Sequence, residues 1–149
     1  HCIAVDPWFI VSKNPDNAKL IKTAREVNDE KPTWVVSKIK FEVDAFLEKN
    51  KNRMRESVTI ACFGVAFKPN VDDFRESPSK LIIETLIGDL DCKIVAVDPN
   101  ISQKDLVNIE LISANEALSA DITVLLVKHH EFIDFNFDSP VFLDFVGKI

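Results

Sequence analysis

The spacing of apolar positions changes near residue 57. Before it, Ala18, Ile21, Ala24 and Val27 recur at near-helical intervals and predict a helix running to about Asn28. Asn14-Pro15 reads as its start, a capping side chain followed by proline at the first helical position, where a missing N–H costs nothing. Pro32 opens a second helical segment with Val36, Ile39, Val43, Phe46 and Leu47 along one face, and the charged stretch 48–56 predicts its end and a linker. Two such helices cannot form a core alone and are expected to pack on another domain or subunit. After residue 57 the pattern becomes one of short, nearly continuous apolar runs at 58–65, 94–97, 122–127 and 141–145. Runs of this kind belong to strands covered on both faces, as in a parallel sheet. Helical signals fall between them at 77–90, weakly at 102–106, at 116–120 and at 130–135. Ser77-Pro78 repeats the cap-plus-proline signal, and Ser113 with Glu116 has capping-box spacing. The alternation predicts a three-layer, Rossmann-like α/β domain with a parallel sheet and right-handed crossovers, preceded by helices.

The 149 residues are enough for one compact domain with an appendage, divided here into a helical part, 1–56, and an α/β part, 57–149. Eighteen Lys and Arg against 24 Asp and Glu leave a net charge of -6, which argues against nucleic acid or an anionic membrane as partner. No apolar run approaches the roughly 18 residues of a transmembrane helix. Three cysteines without metal-like spacing, two of them beside apolar runs, predict buried thiols in a reducing compartment, hence the cytoplasm. Glycine is the sharper bound. Gly64, Gly88 and Gly147 lie far apart, so no glycine-rich phosphate loop of the Rossmann or P-loop kind is encoded in these residues.

Candidate chemistry then narrows to two segments. Ligands of open parallel sheets bind beyond the carboxyl ends of the strands, and the first strand opens there into the long loop 66–78. Without glycines, an anion would be held by side chains, with Lys68 and Arg75 as the cations. Asp72, Asp73 and Glu76 can equally neutralise those two residues locally, and the spacing leaves both readings open. The second segment is the start, where Cys2 follows His1 and precedes Asp6 by four residues, the raw material of covalent catalysis. His129, His130 and Glu131 are adjacent and do not converge on one ion; they predict a solvated helix start and no metal site. A stand-alone binding or receiver-like signalling module is the alternative, with Asp72, Asp73, Asp98 and Lys128 in acidic-site roles.

Three stretches in fixed order carry a resemblance: His-Cys-Ile-Ala-Val-Asp-Pro-Trp-Phe at 1–9, Ala-Arg-Glu-Val-Asn-Asp-Glu-Lys-Pro at 24–32, and Gly-Val-Ala-Phe-Lys-Pro-Asn-Val-Asp-Asp-Phe-Arg-Glu-Ser-Pro at 64–78. They resemble the nucleotide-sugar 6-dehydrogenases, the family of UDP-glucose and GDP-mannose dehydrogenases, and the first stretch is most similar to the acetamido-sugar branch. The resemblance spans essentially the whole chain and implies the C-terminal, nucleotide-sugar-binding portion of such an enzyme. Enzymes of this family use NAD to oxidise the sugar C6 alcohol to a carboxylate in two hydride transfers. The resemblance implies that Cys2 is the nucleophile, passing through a thiohemiacetal to a thioester, and that Asp6 places the hydrolytic water. It further implies that Phe67 and Lys68 contact a UDP-N-acetyl-hexosamine, that Arg75 reaches NAD, and that Cys2, Ile3, Ala4 and Val5 approach the cofactor. A homodimer through residues 15–50 is implied as well. The family's catalytic lysine and asparagine precede the cysteine and are not among these residues. Nor does 144–148 hold the arginine with which UDP-glucose dehydrogenases bind substrate.

Overall fold

The computed structural model describes residues 2–147. Three helices lead: α1 (Cys2–Lys13), α2 (Lys19–Asp29) and α3 (Lys31–Lys49). The α/β part follows as β1 (Thr59–Phe63), α4 (Pro78–Asp89), β2 (Lys93–Val97), β3 (Glu110–Leu111), β4 (Ile122–Leu125), the single-turn α5 (His130–Ile133) and β5 (Val141–Asp144). All strand pairs are parallel, in the order β3-β2-β1-β4-β5. The chain therefore winds outward in one direction from β1 to β3 and returns to the other side of β1 for β4. The crevice between the carboxyl ends of β1 and β4 is the point where winding reverses, the place such sheets reserve for ligands.

Side chains of each strand alternate between two cores, as the pleat requires. Ile60 and Cys62 of β1, Ile94 and Ala96 of β2, and Ile122 and Val124 of β4 face the layer of α3 and α4. There they meet Val36, Ile39, Val43, Ile83 and Leu86. Ala61, Phe63, Val95, Val97 and Leu125 face the other side. That side has little helix, only the 3-10 turn Glu116–Ser119 and α5. Aromatic rings fill it instead: Phe63 packs against Phe132 at 5.2 Å and Phe137 at 4.9 Å, and Phe137 stacks on Phe142 at 4.6 Å. Bulky rings cover the area that a longer helix would otherwise cover. The predicted helix 116–120 is consequently one 3-10 turn, and that at 130–135 stops after one α-turn. The Ser113–Glu116 capping box forms, with the Ser113 N–H donating to Glu116 Oε2 at 2.8 Å and the Glu116 N–H to Ser113 Oγ at 3.3 Å.

Two features differ from the sequence pattern. First, residues 2–13 form α1, with Pro7 inside it, and Asn14-Pro15 does not start the next helix. The Asn14 N–H donates to Ile10 O at 3.1 Å and closes α1, while α2 begins after Ala18 with no side-chain cap. Second, β3 is a two-residue edge strand that no periodicity could announce. Gln103 holds it by donating to Ile109 O at 3.0 Å and accepting from the Leu111 N–H at 2.6 Å. The leading helices also part company. α3 buries Val35, Val36, Ile39, Val43 and Phe46 against the sheet layer, whereas α2 buries none of its residues and exposes Leu20 and Val27. α2 packs on α1 instead.

Candidate functional site

β1 ends at a forced turn. Gly64 has φ +95°, and a Cβ there would lie 2.7 Å from the backbone N and 2.9 Å from the Cα of Val127. Only glycine fits where β1 passes so close to the segment after β4. Beyond it the loop's backbone N–H groups turn inward. Val65 and Ala66 donate to Asp98 Oδ2 at 2.7 and 3.0 Å, and the Asn70 N–H donates to His129 Nδ1 at 3.0 Å. Asp98 stands just past β2 and also accepts from the Asn100 N–H at 2.9 Å. His129 precedes α5 at its N-cap position without a side-chain cap and is fully buried; its Nε2 lies 3.2 Å from Asp98 Oδ2, close but off the line of a well-directed hydrogen bond. Burial by itself would raise the Asp98 carboxyl. The His129 imidazole and the three backbone donors outweigh it and hold Asp98 below the ordinary carboxylate range.

Asn70 and Glu76 adopt left-handed φ of 61° and 53°, which lets the loop double back. The Phe67 N–H donates to Asp73 O at 2.7 Å, and Ser77 Oγ donates to Ala66 O at 3.2 Å while accepting from the Lys80 N–H at 3.3 Å. Ser77 therefore closes the loop and caps α4, as the sequence predicts. Phe67 is half-buried and Lys68 exposed. Arg75 is exposed and grips Asp73 of its own loop, with Nε and Nη2 donating at 3.0 and 2.8 Å. That side-chain contact, with the Arg75 N–H, brings the Asp73 carboxyl down to about 2 and raises Arg75 further. The local neutralisation weighed for this loop is thus present for Arg75.

A cleft of about 480 Å³ opens between the first turn of α1, the end of α2 and the start of α4. Ile3 and Ala4 line it from one side and Phe67, Ser77 and Lys80 from the other. Arg25 also lines it; it is ion-paired with Asp29 and donates through Nη1 to Asn28 Oδ1 at 3.2 Å. The Nε of Arg25 is buried and has no hydrogen-bond partner among the described residues. Cys2 and Asp6 are exposed on α1, four residues apart and so on one helix face. The fold thus brings Ile3, Ala4 and Phe67 into one cleft and leaves Cys2, Asp6, Lys68 and Arg75 outside its lining; Val5 is partly exposed on the same turn. His1 lies outside the described residues.

Among the described residues no group of three His, Cys, Asp or Glu is placed to hold a metal ion. His130 is exposed, as a solvated helix start requires, but His129 is not: it belongs to the interior pair with Asp98. From the sequence, Asp98 is only a receiver-like candidate and His129 only part of a solvated helix start, and Arg25 has no role; the Asp98–His129 pair and the Arg25 contacts escape that reading. Asp98 and His129 are separated by a whole crossover, so no spacing links them. Arg25 reads its partners at i+3 and i+4, a spacing visible in the sequence but common on any helix surface. Cys62 is inert by position, its thiol pushed up to about 12 by burial, and burial likewise raises the half-buried Cys92. A dinucleotide site does not fit these residues alone, because the one left-handed glycine after β1 is packed on Val127 and the following N–H groups face Asp98 and His129.

Residues 61–146 match the UDP binding domain of the UDP-glucose/GDP-mannose dehydrogenase family. UDP-N-acetyl-D-mannosamine dehydrogenase of Campylobacter jejuni is 48% identical over 147 residues, covering 95% of this chain and 34% of that protein. The protein of the same name from Escherichia coli (strain K12) is 49% identical over 143 residues, covering 93% and 34%. Among solved structures, the UDP-N-acetyl-mannosamine dehydrogenase Cap5O from S. aureus superposes with a TM-score of 0.78 at 33% identity, covering all of this chain and 34% of that one. The chain spans about a third of the length of the curated relatives it matches.

Proposed function

The chain belongs to the UDP-glucose/GDP-mannose dehydrogenase family, and from that premise we propose that it is the C-terminal, nucleotide-sugar-binding part of an NAD-dependent UDP-N-acetyl-D-mannosamine 6-dehydrogenase. One observation carries the reading: the cysteine-bearing helix and the loop after β1 meet at a single cleft, with Ile3 and Ala4 facing Phe67. Residues 1–56 are then the cysteine segment and the end of the central helical region, and 57–149 the UDP-sugar-binding domain, joined by the shared packing of α3 on the sheet.

In this reading the sugar C6 is presented to Cys2 on the exposed first turn of α1. The thiolate adds to the C6 aldehyde to give a thiohemiacetal, whose oxidation leaves a thioester. Asp6, one helical turn along, holds the water that hydrolyses the thioester to the carboxylate. A soft sulfur nucleophile suits both steps, since its adduct is readily oxidised and its ester readily cleaved. Phe67 stacks along the nucleotide-sugar, and exposed Lys68 supplies charge to the diphosphate that inward-turned backbone N–H groups cannot supply. NAD, when bound, would accept the two hydrides; of the residues here, Arg75 and the Cys2, Ile3, Ala4 and Val5 turn would flank it, and these 149 residues alone would be inactive in hydride transfer.

The product is UDP-N-acetylmannosaminuronate, a precursor for bacterial surface polysaccharide made in the cytoplasm. Dimerisation runs through the helical segment, supported by the exposure of Leu20 (82%) and Val27 (63%) on α2. No helix among the described residues is long and apolar enough to cross a membrane. The test is kinetic. The native-length protein containing these residues should form two NADH per UDP-N-acetylmannosamine, and Cys2→Ser should abolish the second oxidation. A Cys2→Ser enzyme that completes both oxidations at the parent rate removes Cys2 from this role.

A further inference from the structure

The mechanism makes no use of the buried polar pair at the carboxyl edge of the sheet, Asp98 and His129. His129 is wholly buried and Asp98 nearly so, which rules out contact with substrate. Buried polar groups persist where partners are supplied, because an unpaired one costs the full desolvation of the group, and in this pair His129 Nε2 approaches Asp98 without a well-directed hydrogen bond. Here the partners are informative. A backbone N–H can only donate, so the Asn70 N–H at 3.0 Å from His129 Nδ1 requires that nitrogen to carry a lone pair, which the Asn100 side-chain amide, its Nδ2 also 3.0 Å away, shares. The proton of the neutral ring then sits on Nε2, on the side of Asp98 Oδ2 at 3.2 Å. Asn70 is anchored a second time, its Oδ1 accepting from the His130 N–H at 2.9 Å. Asp98 meanwhile binds the Val65 and Ala66 N–H groups. The stretch between these anchors is Phe67, Lys68 and Pro69. It is held at one end by the segment after β2 and at the other by the segment after β4.

We infer that His129, backed by Asp98, is a positioning residue for this loop: its unprotonated Nδ1 holds Asn70 in its left-handed conformation and so sets where Phe67 and Lys68 present themselves to ligand. The inference rests on the reading of Phe67 and Lys68 as nucleotide-sugar contacts. It explains a loop poor in glycine at a ligand edge. In a phosphate loop the free N–H groups point outward at the anion, whereas this loop spends them on two side chains and leaves recognition to Phe67 and Lys68.

The test uses two amides that mimic different ring nitrogens. Asparagine places its amide near the imidazole Nδ1, whereas the longer glutamine reaches the position of Nε2. In the native-length protein, His129→Gln should speed hydrogen exchange in the peptide containing Asn70 and weaken UDP binding by calorimetry about tenfold or more. His129→Asn should keep both within about threefold of the parent, since its oxygen still accepts from the Asn70 N–H. Equal impairment of the two variants indicates a packing role alone and overturns the inference, as does unchanged exchange in His129→Gln. A parent protein that fails to bind UDP refutes the nucleotide-sugar reading, while the exchange comparison still upholds or overturns the anchor. Should neither variant fold, the ring of the unaltered protein decides: nitrogen-15 spectra showing a bare Nδ1 coupled through the hydrogen bond to the Asn70 amide nitrogen uphold the inference, and a proton on Nδ1, or a bare Nδ1 without that coupling, overturns it.

Discussion

Gly64→Ala concentrates the strain of the ligand edge in one methyl group. The added Cβ meets backbone, at 2.7 Å from Val127 N and 2.9 Å from Val127 Cα, so no rotamer change relieves it. The φ of +95° adds a conformational cost of about 1 kcal/mol or more for an L-residue. Overpacking contributes about 1–3 kcal/mol, for a total of about 2–4 kcal/mol. In a chain of this size each kcal/mol lowers the melting temperature by about 2–4 °C, so a fall of about 5–15 °C is expected. Thermal unfolding followed by circular dichroism measures the fall and urea unfolding the free energy, with an unchanged urea slope showing that stability changed without a change in the surface exposed on unfolding. Gly88→Ala is the control. Nothing lies within 4 Å of a Cβ there, inside α4, so alanine should stabilise by about 0.5–1 kcal/mol. A Gly64→Ala chain within about 0.5 kcal/mol of the parent refutes the argument that β1 and the segment after β4 are in unyielding contact.

Three further outcomes are expected. Asp98 is held below the ordinary carboxylate range when folded and returns to about 3.9 when unfolded. The folded state therefore binds fewer protons across that window, and the Asp98 contribution is complete above it and lost as pH falls through the folded value. The stability gap between parent and Asp98→Asn should narrow as pH falls below about 4; a constant gap contradicts the assignment. Arg75→Gln should lift the Asp73 carboxyl from about 2 toward the ordinary range in carboxyl-carbon NMR, with little effect on melting because the pair is exposed. If Asp73 still titrates near 2, the side-chain contact is not its cause. Ellman's reagent should react at once with exposed Cys2, slowly with half-buried Cys92, and with Cys62 only after unfolding. Native-state labelling of Cys62 refutes its burial.

Much of the α/β part was legible because its signals are local. β1, β4 and β5 fall inside the predicted apolar runs and β2 starts one residue before its run, at exposed Lys93, since the covered part of such a strand is largely apolar. Ser77 and Pro78 start α4 because a side-chain acceptor and a ring without N–H suit the first turn whatever surrounds them. Asn14-Pro15 carried the same kind of cap-plus-proline signal and misled. There the chain was still closing α1, and Asn14 accepted from the Ala18 N–H at 3.0 Å and received the Asn17 amide at 3.1 Å instead of capping. β3 was invisible for the opposite reason: two residues cannot display a period, and a glutamine from a neighbouring turn supplies what the strand lacks.

Residue type and short-range spacing were enough for the α/β class, the lack of a glycine phosphate loop in these residues, and the motifs at 1–9, 24–32 and 64–78 that identify the family. Such properties survive without knowledge of any contact. Folding added what no spacing encodes: α3 shares the sheet's core while α2 stays exposed, Arg75 is spent on Asp73, and Ile3 and Phe67 line one cleft. It alone joined Asp98 to His129. Strands 1, 2 and 4 become neighbours through crossovers, so the residues at their carboxyl ends are brought together by winding of the chain and not by their separation along it.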